Sequence, residues 1–76
     1  MKYLFYVNFA LSGFRAYVCE TDDPFHTMGE MHYSMDEHIN RLTFREYNEV
    51  SVKYLTEEKG IKIGEWTDKY RKQVKE

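Results

Sequence analysis

Lys2-Tyr3-Leu4-Phe5-Tyr6-Val7-Asn8-Phe9-Ala10 decides how the rest of the chain is read. Tyr3, Phe5, Val7 and Phe9 share one parity and Leu4 and Tyr6 the other, which is the alternation of a β-strand. Both parities are apolar, so the segment is expected to be a central strand, or one whose second face is also covered. Leu11-Ser12-Gly13 follows as a turn, because glycine adopts positive φ without steric cost. Phe14 to Glu20 then returns as a second strand, with Phe14, Ala16 and Val18 on one face and Arg15, Tyr17 and Cys19 on the other. The chain thus opens with an antiparallel hairpin.

Beyond the hairpin, Thr21-Asp22-Asp23-Pro24 has turn composition, with Pro24 holding its own φ and keeping Asp23 out of a helix. Residues 26–33 stand between a third strand and an ordered loop: their side chains alternate, but Gly29 weakens a strand. Ser34-Met35-Asp36-Glu37 and Thr43-Phe44-Arg45-Glu46 both fit the capping box that starts helices. The first would open a separate turn of helix over 34–41, and the second a helix over about 43–59. Phe44, Tyr47, Val50, Tyr54 and Leu55 form its apolar stripe, with Val52 off it. Gly60 is placed to end that helix, with Ile61 packing back on Leu55. Ile61-Lys62-Ile63-Gly64 reads as a short connection, and residues 65–75 as a final helix burying Trp66 and Tyr70.

The expected fold is α+β: an N-terminal antiparallel β-hairpin, with 26–33 as an optional third strand, packed against two C-terminal helices. Tyr3, Phe5, Val7, Phe9, Phe14, Ala16 and Val18 are expected to face the helical stripe and Trp66. The 76 residues make a single domain, 1–76, with no room for a second core. A chain this short buries only about 60% of its unfolded surface. Seven Tyr, five Phe and one Trp compensate, since each ring buries roughly 150–250 Å². Cys19 is the only cysteine, which excludes a disulfide-stapled scaffold. The apolar N-terminus is interrupted by Asn8, lacks a small-residue cleavage site and falls short of the ~20 apolar residues of a membrane span. A cytoplasmic protein without membrane contact is expected.

Catalytic signatures are missing from the sequence: it has no Gly-rich phosphate loop, nucleophile elbow or HExxH. A non-enzyme without cofactors is expected. His26, His32 and His38 are spaced six apart, wider than the paired ligands of zinc sites, and no metal is expected. Charge is more informative. The net charge is only −2, yet no Lys or Arg lies between Arg15 and Arg41, where Glu20, Asp22, Asp23, Glu30, Asp36 and Glu37 fall. Interleaved with these acids are Phe25, Met28, Met31, Tyr33 and Met35. Acids steer a basic partner and apolar side chains supply desolvated anchors. Glu20, Asp22, Asp23, Phe25, Met28, Glu30, Met31, Tyr33, Asp36 and Glu37 are therefore the candidate partner-binding residues. The competing reading makes the apolar members core and leaves the acids facing water.

In size, Tyr/Glu/Lys-rich composition and acidic patterning, the chain is similar to small phage-encoded anti-defence proteins, including anti-CRISPR inhibitors. That likeness implies a non-enzymatic inhibitor whose segment 20–37 occupies a basic, phosphate-binding surface of a nucleic-acid-handling protein. It carries no individual residue role. A second likeness covers the C-terminal half. Tyr54 to Trp66, with the basic residues after it, resembles the helix–Gly–helix part of ribbon–helix–helix repressors. It implies a dimeric DNA-binding regulator that uses Lys69, Arg71 and Lys72, with His38-Ile39-Asn40-Arg41-Leu42 as its strand. The distance from that strand to Gly60 and the N-terminal hairpin depart from the pattern. The charge balance also opposes it, since DNA affinity comes largely from phosphate neutralisation. A third class is a small assembly subunit that self-associates. The sequence is compatible with a monomer or a homodimer.

Overall fold

The computed structural model describes residues 1–67. Among them, β1 (Lys2–Phe9), β2 (Gly13–Glu20), β3 (Ile39–Glu46) and β4 (Ile63–Glu65) form one mixed sheet in the order β3-β1-β2-β4. α1 (Pro24–Ser34) joins β2 to β3. α2 (Glu49–Lys53), continued by a π-helical turn over Tyr54–Glu58, joins β3 to β4. The α+β class and the N-terminal hairpin are as the sequence reading expects. The strand count, the order and the helix positions are not.

β1 is the central strand, paired antiparallel to β2 on one side and β3 on the other. Its two apolar faces each meet a separate core. Phe5, Val7 and Phe9 pack with Cys19, Met31 and Leu42 on one face. Leu4 packs with Ala16 and Leu55 on the other, where Val18, Val52, Ile61 and Ile63 close around it. Topology explains the two layers. β2, β3 and β4 all run parallel to one another, so both helical connections are crossovers, which nearly always turn right-handed. The first steps from β2 over β1 to β3, and the second steps back across the sheet to β4. Same-handed crossovers in opposite directions lay their helices on opposite faces.

The turn at Ala10–Ser12 sets which residues share a face. Phe9 pairs with Gly13, whose φ of +84° closes a three-residue loop. Odd residues of β1 therefore oppose odd residues of β2: Tyr3 with Cys19, Phe5 with Tyr17 and Val7 with Arg15. The expected joint face of Tyr3, Phe5, Val7 and Phe9 with Phe14, Ala16 and Val18 is thus corrected; the two sets lie on opposite faces. A one-residue change of register exchanges faces completely.

Residues 26–33 are neither strand nor loop but belong to α1. Asp23 is its N-cap, accepting from the His26 N–H at 3.2 Å, and Pro24 opens the helix, where its missing N–H costs nothing. Thr27, Glu30 and Met31 are its buried face. The two capping boxes do not start helices. Ser34 ends α1, residues 35–38 form a bend and residues 43–46 belong to β3. The second helix starts instead after Asn48, whose side chain accepts from the Val50 and Ser51 N–H groups. Phe44 consequently faces the α1 core from a strand, Val50 and Tyr54 are exposed, and Val52 packs inward. Gly60 does end the helical segment, at φ +67°, with the Ile61 N–H donating to the Leu55 carbonyl. In place of a helix from residue 65, Ile63–Glu65 is a strand parallel to β2; the remainder of that expected helix, with Tyr70, lies outside the described residues.

β4 docks closely because Gly64 has no side chain. A Cβ there would lie 2.9 Å and 3.0 Å from two carbons of the Tyr17 ring. The same ring meets Trp66 edge-on at 6.3 Å. Gly64→Ala is expected to cost about 1–3 kcal/mol by overpacking, read as a lower urea midpoint with altered Trp66 fluorescence. An unchanged midpoint would show that the ring moves aside freely.

Candidate functional site

The α2 face of the sheet is only partly covered. β1 contributes Tyr6 and Asn8 there, β2 Phe14, and β3 Arg41, Thr43 and Arg45. α2 and the π turn wall the far side with Val50, Ser51, Tyr54 and Leu55, leaving an open cleft of about 760 Å³. That volume falls within the range of ligand-binding sites. The strand pairings order its floor: Asn8 lies beside Phe14 on one neighbour and Arg41 on the other, and Tyr6 lies between Ala16 and Thr43. The register shift in the β1–β3 pairing falls immediately beside Arg41, leaving Asn40 without a counterpart. Bulges recur where a strand re-aims a side chain beside a site.

The cleft combines cations with ring faces. Arg41, Thr43 and Arg45 alternate along β3, so their side chains emerge at intervals of about 6.8 Å. Arg45 lies over the Tyr6 ring, 5.6 Å from its centroid, and Tyr6 meets Phe14 at 5.9 Å. Phe14 is 42% exposed and Tyr54 51% exposed, and Lys59 lies over the Tyr54 ring at 5.9 Å. No carboxylate lines the cleft, and no ion pair engages Arg41 or Arg45 among the described residues. Uncompensated guanidiniums beside exposed rings favour an anion that carries a planar group. The π turn sets adjacent residues to different tasks, with Tyr54 in the rim of the cleft and Leu55 in the core. Single π turns inside helices occur frequently at functional sites.

The acidic segment singled out from the sequence does not form one surface. Met31 and Glu30 are buried and Met28 is half-buried under α1. Glu30, 5% exposed, accepts from the Trp66 indole N–H at 2.9 Å and so anchors the segment after β4. Asp23 caps α1, and Glu20 pairs with the Met1 ammonium. Glu37 accepts from the Leu11 and Ser12 N–H groups at 3.0 Å and 2.7 Å, and from the Ser12 hydroxyl. Asp22, Phe25, Tyr33 and Asp36 are exposed, with Phe25 standing edge-on to Phe44 at 5.2 Å. The interleaving of acids with Met and aromatics thus follows the periodicity of α1 and its caps. Met35, the last apolar member, packs half-buried on the α1 core.

Glu37 provides a pH handle. The Ser12 hydroxyl hydrogen bond, followed by the Ser12 and Leu11 N–H groups, holds its carboxyl below the ordinary value of 4.5. A depressed folded-state value contributes stability above the unfolded value and loses it as pH falls through the folded one. The hairpin turn is therefore expected to loosen only below about pH 4.5. Amide chemical shifts of Leu11 and Ser12 should titrate together there and stop doing so in Glu37→Gln. Independent movement of the two amides would remove Glu37 as their common partner.

His26 and His32 lie on α1 and His38 just before β3. No group of three or more His, Cys, Asp or Glu is placed to hold a metal ion among the described residues. Cys19 is buried in the α1 core. Lys69, Arg71 and Lys72 lie outside the described residues. His38-Ile39-Asn40-Arg41-Leu42 contributes to an edge strand hydrogen-bonded to β1. No helix among the described residues is long and apolar enough to cross a membrane. No protein-family model, curated protein or solved structure matches the chain.

Proposed function

We propose that this domain is a non-enzymatic binding module whose cleft takes an unpaired nucleic-acid strand. The observation that carries the reading is the alternation of Arg41, Thr43 and Arg45 along one wall, opposite Phe14, Tyr6 and Tyr54, with no carboxylate among the described lining residues. Single strands are held by cations that follow the phosphates and by rings on which bases stack. The interval along β3 is close to the spacing of successive phosphates. Phe14, Tyr6 and Tyr54 can stack only on bases that are unpaired, which favours a single strand over a duplex. The net charge of −2 does not oppose this, because the local field of a charge-lined cleft governs encounter.

The test is fluorescence anisotropy with labelled 9-mers, single-stranded and duplex, across a salt series. Single strands should bind more tightly, with log affinity falling by about 1.4 per decade of salt for two phosphates at ~0.7 each. Equal affinity for duplex, or none for either at low salt, defeats the reading.

A second reading keeps the protein-binding inhibitor of nucleic-acid-handling enzymes, and it is favoured by Phe25, 74% exposed near Asp22 in sequence. Its charge reversals belong at Asp22 and Asp36, because Asp23 caps a helix and Glu30 is buried. Binding to a purified basic partner that survives both reversals and Phe25→Ser would end it.

A further inference from the structure

Resting on the strand-binding reading, we infer that the cross-strand row Phe14–Asn8–Arg41 is a single-nucleotide subsite selective for adenine. The row is fixed by register: Asn8 pairs with Phe14 in one ladder and with Arg41 in the other, so all three side chains rise abreast on the α2 face. Neighbours across strands stand about 4.5–5.5 Å apart, giving a row roughly 10 Å across, the reach of a nucleotide from base to phosphate. Phe14 supplies an exposed ring face, buttressed by Tyr6. Arg41 supplies the cation and is exposed at the cleft margin. Asn8 sits between them, polar and exposed, while its neighbours Val7 and Phe9 are buried on the other face.

Packing gives no reason for an amide at that position. The remaining residues of β1 from Tyr3 to Phe9 all belong to, or pack against, one of the two cores. An amide offers one acceptor and two donors side by side, matching the N6 donor and N7 acceptor of adenine in a bidentate pair. On that edge guanine presents two acceptors and thymine and uracil only one, O4. They could meet the amide only with the base turned to its Watson–Crick edge, through N1–H and O6 in guanine or N3–H and O4 in thymine and uracil. Adenine matches it through N6 with either N7 or N1. Cytosine can meet the amide through N3 and N4, but its single ring covers less of Phe14. With the base stacked on Phe14, its edge lies over Asn8 and its phosphate reaches Arg41.

The experiment compares 9-mers of thymidine carrying one central adenine, cytosine, guanine or 7-deazaadenine, titrated by anisotropy at fixed low salt. The adenine oligomer should bind roughly tenfold tighter than all-thymidine, and 7-deazaadenine, which lacks N7, should lose most of that gain. Asn8→Ala and Asn8→Thr should bind all oligomers at the all-thymidine level, with circular dichroism unchanged because Asn8 is outside both cores. If the wild type binds every oligomer alike, or both variants keep the adenine preference, the subsite is overturned while strand binding stands. If no oligomer binds, both readings fall.

Discussion

Phe5→Ala is expected to leave a large part of the population unfolded in water. Phe5 is fully buried and, among the described residues, is the largest of the inaccessible side chains. It also holds the Phe44 ring at 5.6 Å, and Phe44 in turn carries Tyr3 and Phe25 on its edges. Removing a core phenylalanine costs about 3–5 kcal/mol. Domains are stable by about 0.05–0.15 kcal/mol per residue, roughly 4–11 kcal/mol for 76 residues. A chain this short is expected at the low end, where the loss is most of what holds it folded. Leu4→Ala should cost about 2–5 kcal/mol in the other core. Because both side chains belong to one strand, each substitution should lower the same cooperative urea transition, whether followed by Trp66 fluorescence or by far-ultraviolet dichroism. A midpoint shift worth under about 1 kcal/mol for Phe5→Ala would mean that the α1 core does not hold the sheet.

Converting Arg41 and Arg45 together to glutamine should abolish strand binding while leaving the fold intact. Hydrogen bonds to charged groups are worth roughly 1.5–3 kcal/mol each, so the double variant should lose on the order of a hundredfold or more in affinity. Its residual binding should be nearly insensitive to salt, since the phosphate contacts carry that dependence. Glutamine retains length and polarity, but Arg45→Gln also gives up the contact with Tyr6, worth about 0.5–1 kcal/mol at an exposed site. The single variants separate these effects: Arg41→Gln should change affinity with little change in stability, and Arg45→Gln should change both. Unaltered titrations in the double variant would place the ligand elsewhere on the surface.

Much of this was legible where the local pattern and the tertiary environment agree. Apolar residues on both parities of Lys2–Phe9 marked a central, doubly covered strand, and Gly60 marked a helix end. α1 is hidden in the sequence although Asp23-Pro24 is a proper N-cap and N1 pair, because the side chains of residues 26–33 alternate as in a strand and Gly29 argues for a loop. β3 is legible only over residues 38–42, the strand of the repressor-like reading, because Thr43-Phe44-Arg45-Glu46 has a helix-start composition that sheet pairing with β1 overrides. That composition hides the cleft. Placed on a helix, Arg45 could not alternate with Arg41 along a strand, and the neighbours Phe14, Asn8 and Arg41 come from three separate strands. The acids drew attention through their density, yet several are employed as caps and anchors. Such roles depend on contacts across 25 to 36 residues, as for Glu37 with Ser12 and Glu30 with Trp66.

β4 has a consequence for how the chain is made. It is only three residues long, yet it lies along the outer edge of β2. During synthesis β2 emerges more than forty residues ahead of it, and for that interval the edge of a long apolar strand is bare. Bare edges recruit strands from other molecules. A nascent or clipped chain that stops at Gly60 therefore has a sticky margin, and Ile63–Glu65 acts as its selvedge, a narrow finished border along Ala16–Val18 that blunts this side of the sheet.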